Sequence, residues 1–297
     1  MIARARRIVA ACGGPGGFLG ACLMVLLIVD AVAAPWIAPF DPLKVDMLNA
    51  LTPPDTTHLF GTDQSGRDVL SRVIWGGRAS LEVSALAVII GTCGGVALGL
   101  LAGFFSGGWF EQLLMRALDA MAAIPLLIWA IALVGILGVG PVHIAGFTFG
   151  NEVKLLALLG VLYIPTLARI TYTTALGEAR ANYVAARRLQ GVGSPRIIVS
   201  DGLPNCLSPV IVQSTLLLAI GIVIEASVSF VGLGVQPPEP SWGNMLADAR
   251  NYLFSGEWWL SVFPGACISL SVVAINLLGD GLRDALDPRH STSALTA

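Results

Sequence analysis

Four ionisable side chains lie within long apolar stretches of this sequence, namely Asp119, Arg169, Glu225 and Asp280. A bare charge at the centre of a bilayer costs about 2.5–3.5 kcal/mol or more, so each side chain should face protein or water. Two such aspartates could form the catalytic pair of an intramembrane aspartyl protease. The residues around Asp119 and Asp280 lack the GxGD and YD patterns of those enzymes, which leaves this function a distant alternative.

Other catalytic chemistry finds no support in the residue patterns. The sequence has no HExxH zinc motif, no GxSxG nucleophile motif and no GxxxxGK[ST] phosphate-binding loop. We therefore expect neither an enzyme nor a bound cofactor, and any ATP would be bound by partner subunits. The five cysteines show no CxxC spacing and predict small buried side chains, without disulfides or a metal site.

Glu225 is the ionisable residue best placed to line a passage, because it lies in the middle to outer part of its apolar stretch. The alternative interpretation is a hydrogen bond between helices without contact to any transported molecule, and the sequence leaves both open. Asp119, Arg169 and Asp280 lie toward the opposite ends of their stretches, where pairing at the membrane interface is expected. A passive channel is a third possibility, but the sequence has no ring-forming polar filter motif.

A polar, arginine-carrying stretch, residues 183–205, separates two long apolar runs. Leu176, Ala179, Tyr183 and Ala186 recur at spacings of three or four, which predicts one apolar stripe of an amphipathic helix. An amphipathic helix at a membrane surface can dock into a groove of another protein. The stretch is therefore a candidate for the place where a partner protein engages the chain.

The same stretch contains signals for a turn and a second helix. Gly191 breaks the first helix, and Ser194 followed by Pro195 is typical of a helix start. Gly202 and Pro204 are predicted to end this second, short helix. The arginines distributed around the two helices are Arg180, Arg187, Arg188 and Arg196.

Composition places the chain in a membrane. Its residues are 55% hydrophobic and only 12% charged, with a mean hydropathy of +0.79, whereas a soluble domain is about 25% charged. The formal net charge of −2 gives no reason to expect a nucleic-acid partner. The lipid bilayer is thus the first partner that the sequence predicts.

Six apolar runs reach the roughly 20 residues that a spanning helix needs, so we predict an all-α polytopic membrane protein with six transmembrane helices. The first run carries Ala31-Val32-Ala33, which resembles a signal-peptide cleavage site. It continues apolar through Trp36 and Ile37, and we interpret it as an uncleaved span. The predicted spans cover residues 18–38, 81–105, a stretch ending near 138, 153–175, 206–234 and 258–282.

Two of the predicted spans carry features that bear on packing. Glycines that include Gly91, Gly95, Gly99 and Gly103 lie in the second span, and small residues let membrane helices approach closely. Pro125 is predicted to kink the third span.

The polar, proline-containing residues 39–78 are predicted to form an external segment, with an interfacial helix over residues 62–75. Arg67 and Asp68 are predicted to pair within it. The remaining predicted divisions are an N-terminal segment 1–17, a first span 18–38, a five-helix core 79–282 that contains the connection 176–205, and a tail 283–297.

The distribution of basic residues predicts the orientation. Six spans place both termini on one side, and eleven of the 17 Lys and Arg residues lie on that side, against six on the other. Because basic residues are enriched in cytoplasmic connections, both termini and the stretch 183–205 are predicted to be cytoplasmic.

The stretch 183–205 resembles the "EAA" cytoplasmic loop of permease subunits of binding-protein-dependent ABC importers, in the dipeptide/oligopeptide/nickel branch. Members of that branch typically read D-Y-V-E-A-A-R-A-L-G-A-S-x-x-R-I-I-x-x-x-x-L-P-N. Ala185 replaces the name-giving glutamate, Arg187 the second alanine and Gln190 a leucine, so a salt link made by that glutamate is not expected. The residues in register are Tyr183, Val184, Ala186, Arg188, Gly191, Arg196, Ile197, Ile198, Leu203, Pro204 and Asn205.

Four further blocks, residues 58–81, 116–128, 225–246 and 276–289, resemble the C-type permease subunit of the same branch. The resemblance implies the ABC importer type I permease fold, a homologous second permease subunit, two ATPase subunits or domains and an external substrate-binding protein. It also implies the inner membrane of a bacterium as location and peptides as cargo, with nickel, glutathione or haem carried by relatives. The residues implied in ATPase coupling are Tyr183, Val184, Ala185, Ala186, Arg187, Arg188, Gly191, Arg196 and Pro204.

Overall fold

Long apolar helices make up most of the computed structural model, which describes residues 13–138, 140–144 and 147–286. Five helical segments are long and apolar enough to cross a membrane, and a bent pair of shorter helices gives a sixth candidate if the pair forms one span. This agrees with the predicted six-span helical fold. The segments are α1 (Pro15–Ile37), α2 (Val69–Phe104), the bent pair α3 (Trp109–Ala123) and α4 (Leu126–Leu137), α5 (Asn151–Ala179), Ser194–Phe230 and α10 (Trp259–Leu286).

Shorter elements connect these segments. A three-residue strand β1 pairs antiparallel with β2 between α4 and α5, which is a small addition to the predicted all-α fold. The connecting elements are β1 (Val142–Ile144), β2 (Phe147–Phe149), α6 (Asn182–Leu189), α7 (Ser194–Ile197), a π-helical segment (Ile198–Gly202) that leads into α8 (Leu203–Phe230), and α9 (Trp242–Ala249).

The third predicted span is broken at Pro125. The axes of α3 and α4 differ by 88° across the break. Ile124 and Pro125 have extended ψ angles, 125° and 138°. For Ile124 the cause is Pro125, because proline disfavours the helical conformation of the residue before it. The predicted kink is therefore a sharp corner between two helices.

The helix predicted at the interface over residues 62–75 is not a separate element. Helix α2 begins at Val69, with Asp68 as its N-cap, and continues without a break to Phe104. The predicted boundary between residues 78 and 79 therefore falls inside a continuous helix, and the division of the chain at this point stays a prediction. The sequence predicted residues 69–78 to belong to a polar segment. In the structure most of them are buried against the segment before α2 and against α9, and the helix continues through them.

Helices α2 and α5 pack through a row of glycines spaced four residues apart. A Cβ atom at Gly95 would lie 2.5 Å from the Cβ atom of Leu167, and one at Gly103 would lie 2.6 Å from that of Ala175. Gly91 and Gly99 make equally close approaches to α5. The backbones meet at distances that any side chain on this face would prevent, which confirms the packing predicted from the glycine pattern.

Buried charges connect the segment before α2, residues 38–68, to the helical bundle. Arg67 donates to Asp63 at 2.7 Å, and Arg72 lies 3.2 Å from the same carboxylate. Asp68 instead pairs with His58 at 2.9 Å. The predicted pairing of Arg67 with Asp68 is wrong, because Asp68 caps α2 by accepting from the backbone and hydroxyl of Ser71.

Candidate coupling site

The stretch between α5 and α8 forms two helices and a tight turn, as predicted, but with different ends. Helix α5 stops at Ala179, so residues 176–186 are not one continuous helix. Gly191 provides the turn with φ of 78°, a conformation that favours glycine. The second helix does not end at Gly202 and Pro204, because helical structure continues from Ser194 to Phe230. Pro204 lies in the first turn of α8, directly after the π-helical segment, and it has no N–H to donate to a carbonyl of that segment.

The buried face of this connection differs from the predicted stripe. Val184 and Ile197 are each 1% exposed and pack in one cluster with Phe104 at the end of α2. Tyr183 and Ala186, which were predicted to lie on the apolar stripe, are exposed. The stripe was wrong because it assumed a single helix through residues 180 and 181, where the chain turns.

Gly202 fixes how closely this connection approaches α2. A Cβ atom at Gly202 would lie 2.6 Å from the ring of Phe104. The rigid row of glycines between α2 and α5 ends one residue away, at Gly103. The connection therefore packs against the end of α2, which itself packs closely on α5, and it continues through the π-helical segment into α8.

Polar contacts brace the two short helices. Arg187 donates through Nε and Nη2 to Asp201, both at 3.2 Å, and the carboxylate raises the pKa of Arg187. Asn205 Nδ2 donates to Glu178 Oε2 at 3.0 Å, and the hydroxyl of Tyr183 donates to the same oxygen. Partial burial, with this carboxylate as a further cause, raises the pKa of Tyr183.

These contacts involve two residues that sequence reasoning missed. Glu178 lies just before the stretch 183–205 and Asp201 lies within it, and their charge complementarity with the arginines was the available signal. Among the residues implied in coupling, only Val184 is buried, and it anchors the connection. Leu189, at 90% exposure, is the most exposed large apolar side chain of α6. The implied residues on the outer surface are Tyr183, Ala185, Ala186, Arg188, Gly191, Arg196 and Pro204, while Arg187 is partly covered.

Glu225 lies in a closed site between helices. Its side chain has no exposed surface, and Oε1 accepts from the hydroxyl of Ser229 at 2.7 Å. The hydroxyl groups of Ser80 on α2 and Ser241 at the start of α9 lie beside the same carboxyl group. Ser229 lies on the same helix as Glu225, and in the described part of the chain neither Glu225 Oε2 nor the Ser80 hydroxyl forms a hydrogen bond. The helix-to-helix hydrogen bond and the role in lining a passage therefore both stay predictions.

The remaining charges within the spans do not form a catalytic pair. Asp119 on α3 forms an ion pair with Arg169 on α5. Asp280 is exposed on α10 and forms no ion pair or hydrogen bond within the described ranges. Residues 13–138, 140–144 and 147–286 also contain no group of three or more potential metal ligands.

The fold and this connection define a polytopic helical membrane protein whose spans are linked mechanically to one extramembrane surface. Residues 95–292 match the family of binding-protein-dependent transport system inner membrane components, and the chain belongs to that family. It is thus a multi-pass inner-membrane permease subunit of the ABC importer class, and such a subunit is not itself catalytic.

Named relatives cover nearly the whole chain. It is 45% identical over 285 residues to the di/tripeptide transport system permease protein DppC of Pseudomonas aeruginosa, covering 94% of this chain and 90% of that protein. The dipeptide transport system permease protein DppC of Escherichia coli K12 is 41% identical, with 92% and 89% covered. A chain of the MetNI methionine ABC transporter shares the fold, with a TM-score of 0.59 at 18% identity over 73% of this chain and 98% of that one.

Proposed function

We propose that this chain is the permease subunit of an ATP-driven importer that moves short peptides across the inner membrane. The observation that carries the proposal is the 45% identity, over nearly full length, to a di/tripeptide permease. In the proposal, ATP is bound and hydrolysed by separate subunits, which is consistent with a sequence that contains no GxxxxGK[ST] motif.

Energy enters through the connection 182–202. Its outer surface presents the aliphatic side chain of Leu189 between the exposed Arg188 and the turn at Gly191, a shape that fits a groove on an ATPase subunit. Its inner surface is fixed to α2 by Val184 and Ile197. Movement of the ATPase subunits is thereby transmitted to α2, α5 and α8 as one body. The residues proposed to act in coupling are Tyr183, Val184, Ala185, Ala186, Arg187, Arg188, Gly191, Arg196 and Pro204.

The proposed assembly contains a homologous second permease subunit, two ATPase subunits or domains and an external binding protein that delivers the peptide. Both termini and the connection 182–202 face the cytoplasm, as the distribution of basic residues indicates. ATP binding biases the bundle between inward-open and outward-open states, because a ligand shifts such an equilibrium by its differential affinity for the two states.

The coupling role is tested by Gly191→Asp and Arg196→Glu in the reconstituted complex. Both should abolish peptide uptake while membrane insertion and the amount of the chain remain unchanged. Gly256→Asp is the matched control, since Gly256 also has a positive φ of 105° and open space around it but lies beside α10 at the other end of the bundle. Normal uptake by the Gly191 and Arg196 variants in the assembled complex would refute the coupling role.

A further inference from the structure

A cavity of about 420 Å³ opens between α2, the start of α5 and the segment that precedes α9. Its volume lies in the range of about 300–1,000 Å³ that is usual for small-molecule sites. Apolar walls and charged groups of both signs line it, so it differs from a purely apolar lipid-facing groove. The charged lining residues are Arg78, Glu82, Glu152 and Glu239.

One face of α2 forms the floor of the cavity. Trp75, Arg78, Glu82 and Leu86 follow one another at spacings of three and four residues, so they share a helix face. The guanidinium carbon of Arg78 lies 5.7 Å from the centre of the Trp75 ring, which holds the cation over the floor. The floor therefore changes from charged near the start of α2 to apolar at Leu86.

The charges in the cavity are not paired with one another. Arg78 and Glu82 are one helical turn apart, a spacing that favours an ion pair, yet neither forms one within the described part of the chain. Glu152 and Glu239 likewise form no ion pair within the described part of the chain. An open cavity with three carboxylates and one guanidinium left unpaired suits a ligand that brings both a cation and an anion.

The cavity lies at the end of the bundle opposite to the coupling connection. From Leu86 to Phe104, α2 runs 18 residues, which is about 27 Å at 1.5 Å per residue. That distance is close to the thickness of the hydrocarbon core. A molecule delivered to the face remote from the ATPase subunits therefore meets this cavity before the apolar part of the bundle.

We propose that this cavity binds the transported peptide directly, with positively charged groups of the peptide at Glu82, Glu152 and Glu239 and its terminal carboxylate at Arg78. The proposal rests on the proposed function, a peptide importer. Because carboxylates outnumber the guanidinium three to one, a peptide with an additional positive charge is favoured over one with an additional negative charge. The apolar side chains of the peptide lie against Val83, Leu86 and Leu156.

The test is uptake of two charged dipeptides by the complete complex in proteoliposomes, with the binding protein saturated by each dipeptide in turn. The double variant Glu82→Gln/Glu239→Gln should lower the uptake of lysyl-leucine about tenfold more than that of glutamyl-leucine, a change in preference of about 1.4 kcal/mol. Arg78→Gln should do the opposite. Asp284→Asn, which neutralises an exposed carboxylate at the end of α10, is the matched control and should change neither rate.

Each rate is expressed relative to the unaltered complex, so that preferences of the binding protein cancel. ATP hydrolysis stimulated by the loaded binding protein should stay within about twofold of the unaltered complex, showing that assembly and coupling persist. Equal losses for both dipeptides, or no loss for either, would overturn the cavity as a site that reads peptide charge. Failure of the unaltered complex to import either dipeptide would instead overturn the proposed peptide function, and the cavity proposal with it.

Discussion

The row of glycines between α2 and α5 gives a sharp prediction about stability. Gly95→Ala adds one methyl group, and its carbon would lie 2.5 Å from the Cβ atom of Leu167 and 2.9 Å from the backbone nitrogen of Ala168. Neither neighbour can rotate away, since one is main chain and the other is attached directly to it. The helices must separate by about 1 Å to restore ordinary contact distances of about 3.5 Å.

The magnitude follows from a matched substitution. Gly265→Ala places the same methyl group on α10, where nothing lies within 4 Å. Both changes gain about 0.5–1 kcal/mol from the better helix propensity of alanine, and this gain cancels in the comparison. Overpacking costs about 1–3 kcal/mol. The free energy of unfolding of Gly95→Ala should therefore be lower than that of Gly265→Ala by about 1–3 kcal/mol.

The assay is equilibrium unfolding of the detergent-solubilised chain by SDS, followed by tryptophan fluorescence. Measurement on the single chain avoids effects of partner subunits that could cover Gly265. Equal unfolding free energies for the two variants would refute the close approach of α2 and α5, and with it the rigid body through which we propose that motion is transmitted.

Three further predictions concern the polar contacts. Arg187→Asp and Asp201→Arg should each reduce coupled uptake several-fold, and the double exchange should recover most of the loss in the same reconstituted assay; failure of the double exchange to recover would show that the pair has no bracing role. Glu225→Ala should lower the unfolding free energy by about 1–3 kcal/mol, because the hydroxyl of Ser229 loses its buried acceptor, whereas Glu225→Gln should stay close to the unaltered chain. Changed uptake kinetics in Glu225→Gln at unchanged stability would instead place Glu225 in the passage. Trp242→Phe removes a buried hydrogen bond of 2.9 Å to a backbone carbonyl of α2 and should cost about 0.5–1.5 kcal/mol in SDS unfolding; an unchanged value would show that this bond does not hold α9 in place.

The lengths of the apolar runs and the positions of proline and glycine predicted most of the fold. The spans follow from runs of about 20 apolar residues, and the corner at Pro125 from the chemistry of proline. The glycine row predicted close packing but not its partner, because the sequence does not say which helix faces Gly91 to Gly103. The structure identifies α5 as the helix that packs against this row of glycines.

The errors have a common physical cause, which is that tertiary contacts override local signals. Gly202 reads as a helix end, but the ring of Phe104 occupies the space beside it and the helical path continues into α8. Residues 69–78 were predicted to be part of an external segment, yet Arg72 and neighbouring residues are buried and form the first turns of the long helix α2. The hydrogen bonds from Arg187 to Asp201 could not be predicted locally, because only the fold brings these two residues together.

The most direct test of the coupling proposal is photo-crosslinking from the tip of the connection. Benzoylphenylalanine introduced at Leu189, which is 90% exposed, should crosslink to an ATPase subunit in the assembled complex, and the yield should change when ATP is added. The same probe at Phe254, exposed beside α10 at the other end of the bundle, should give no crosslink to the ATPase. Absence of an ATPase crosslink at Leu189, or its appearance at Phe254, would contradict the account.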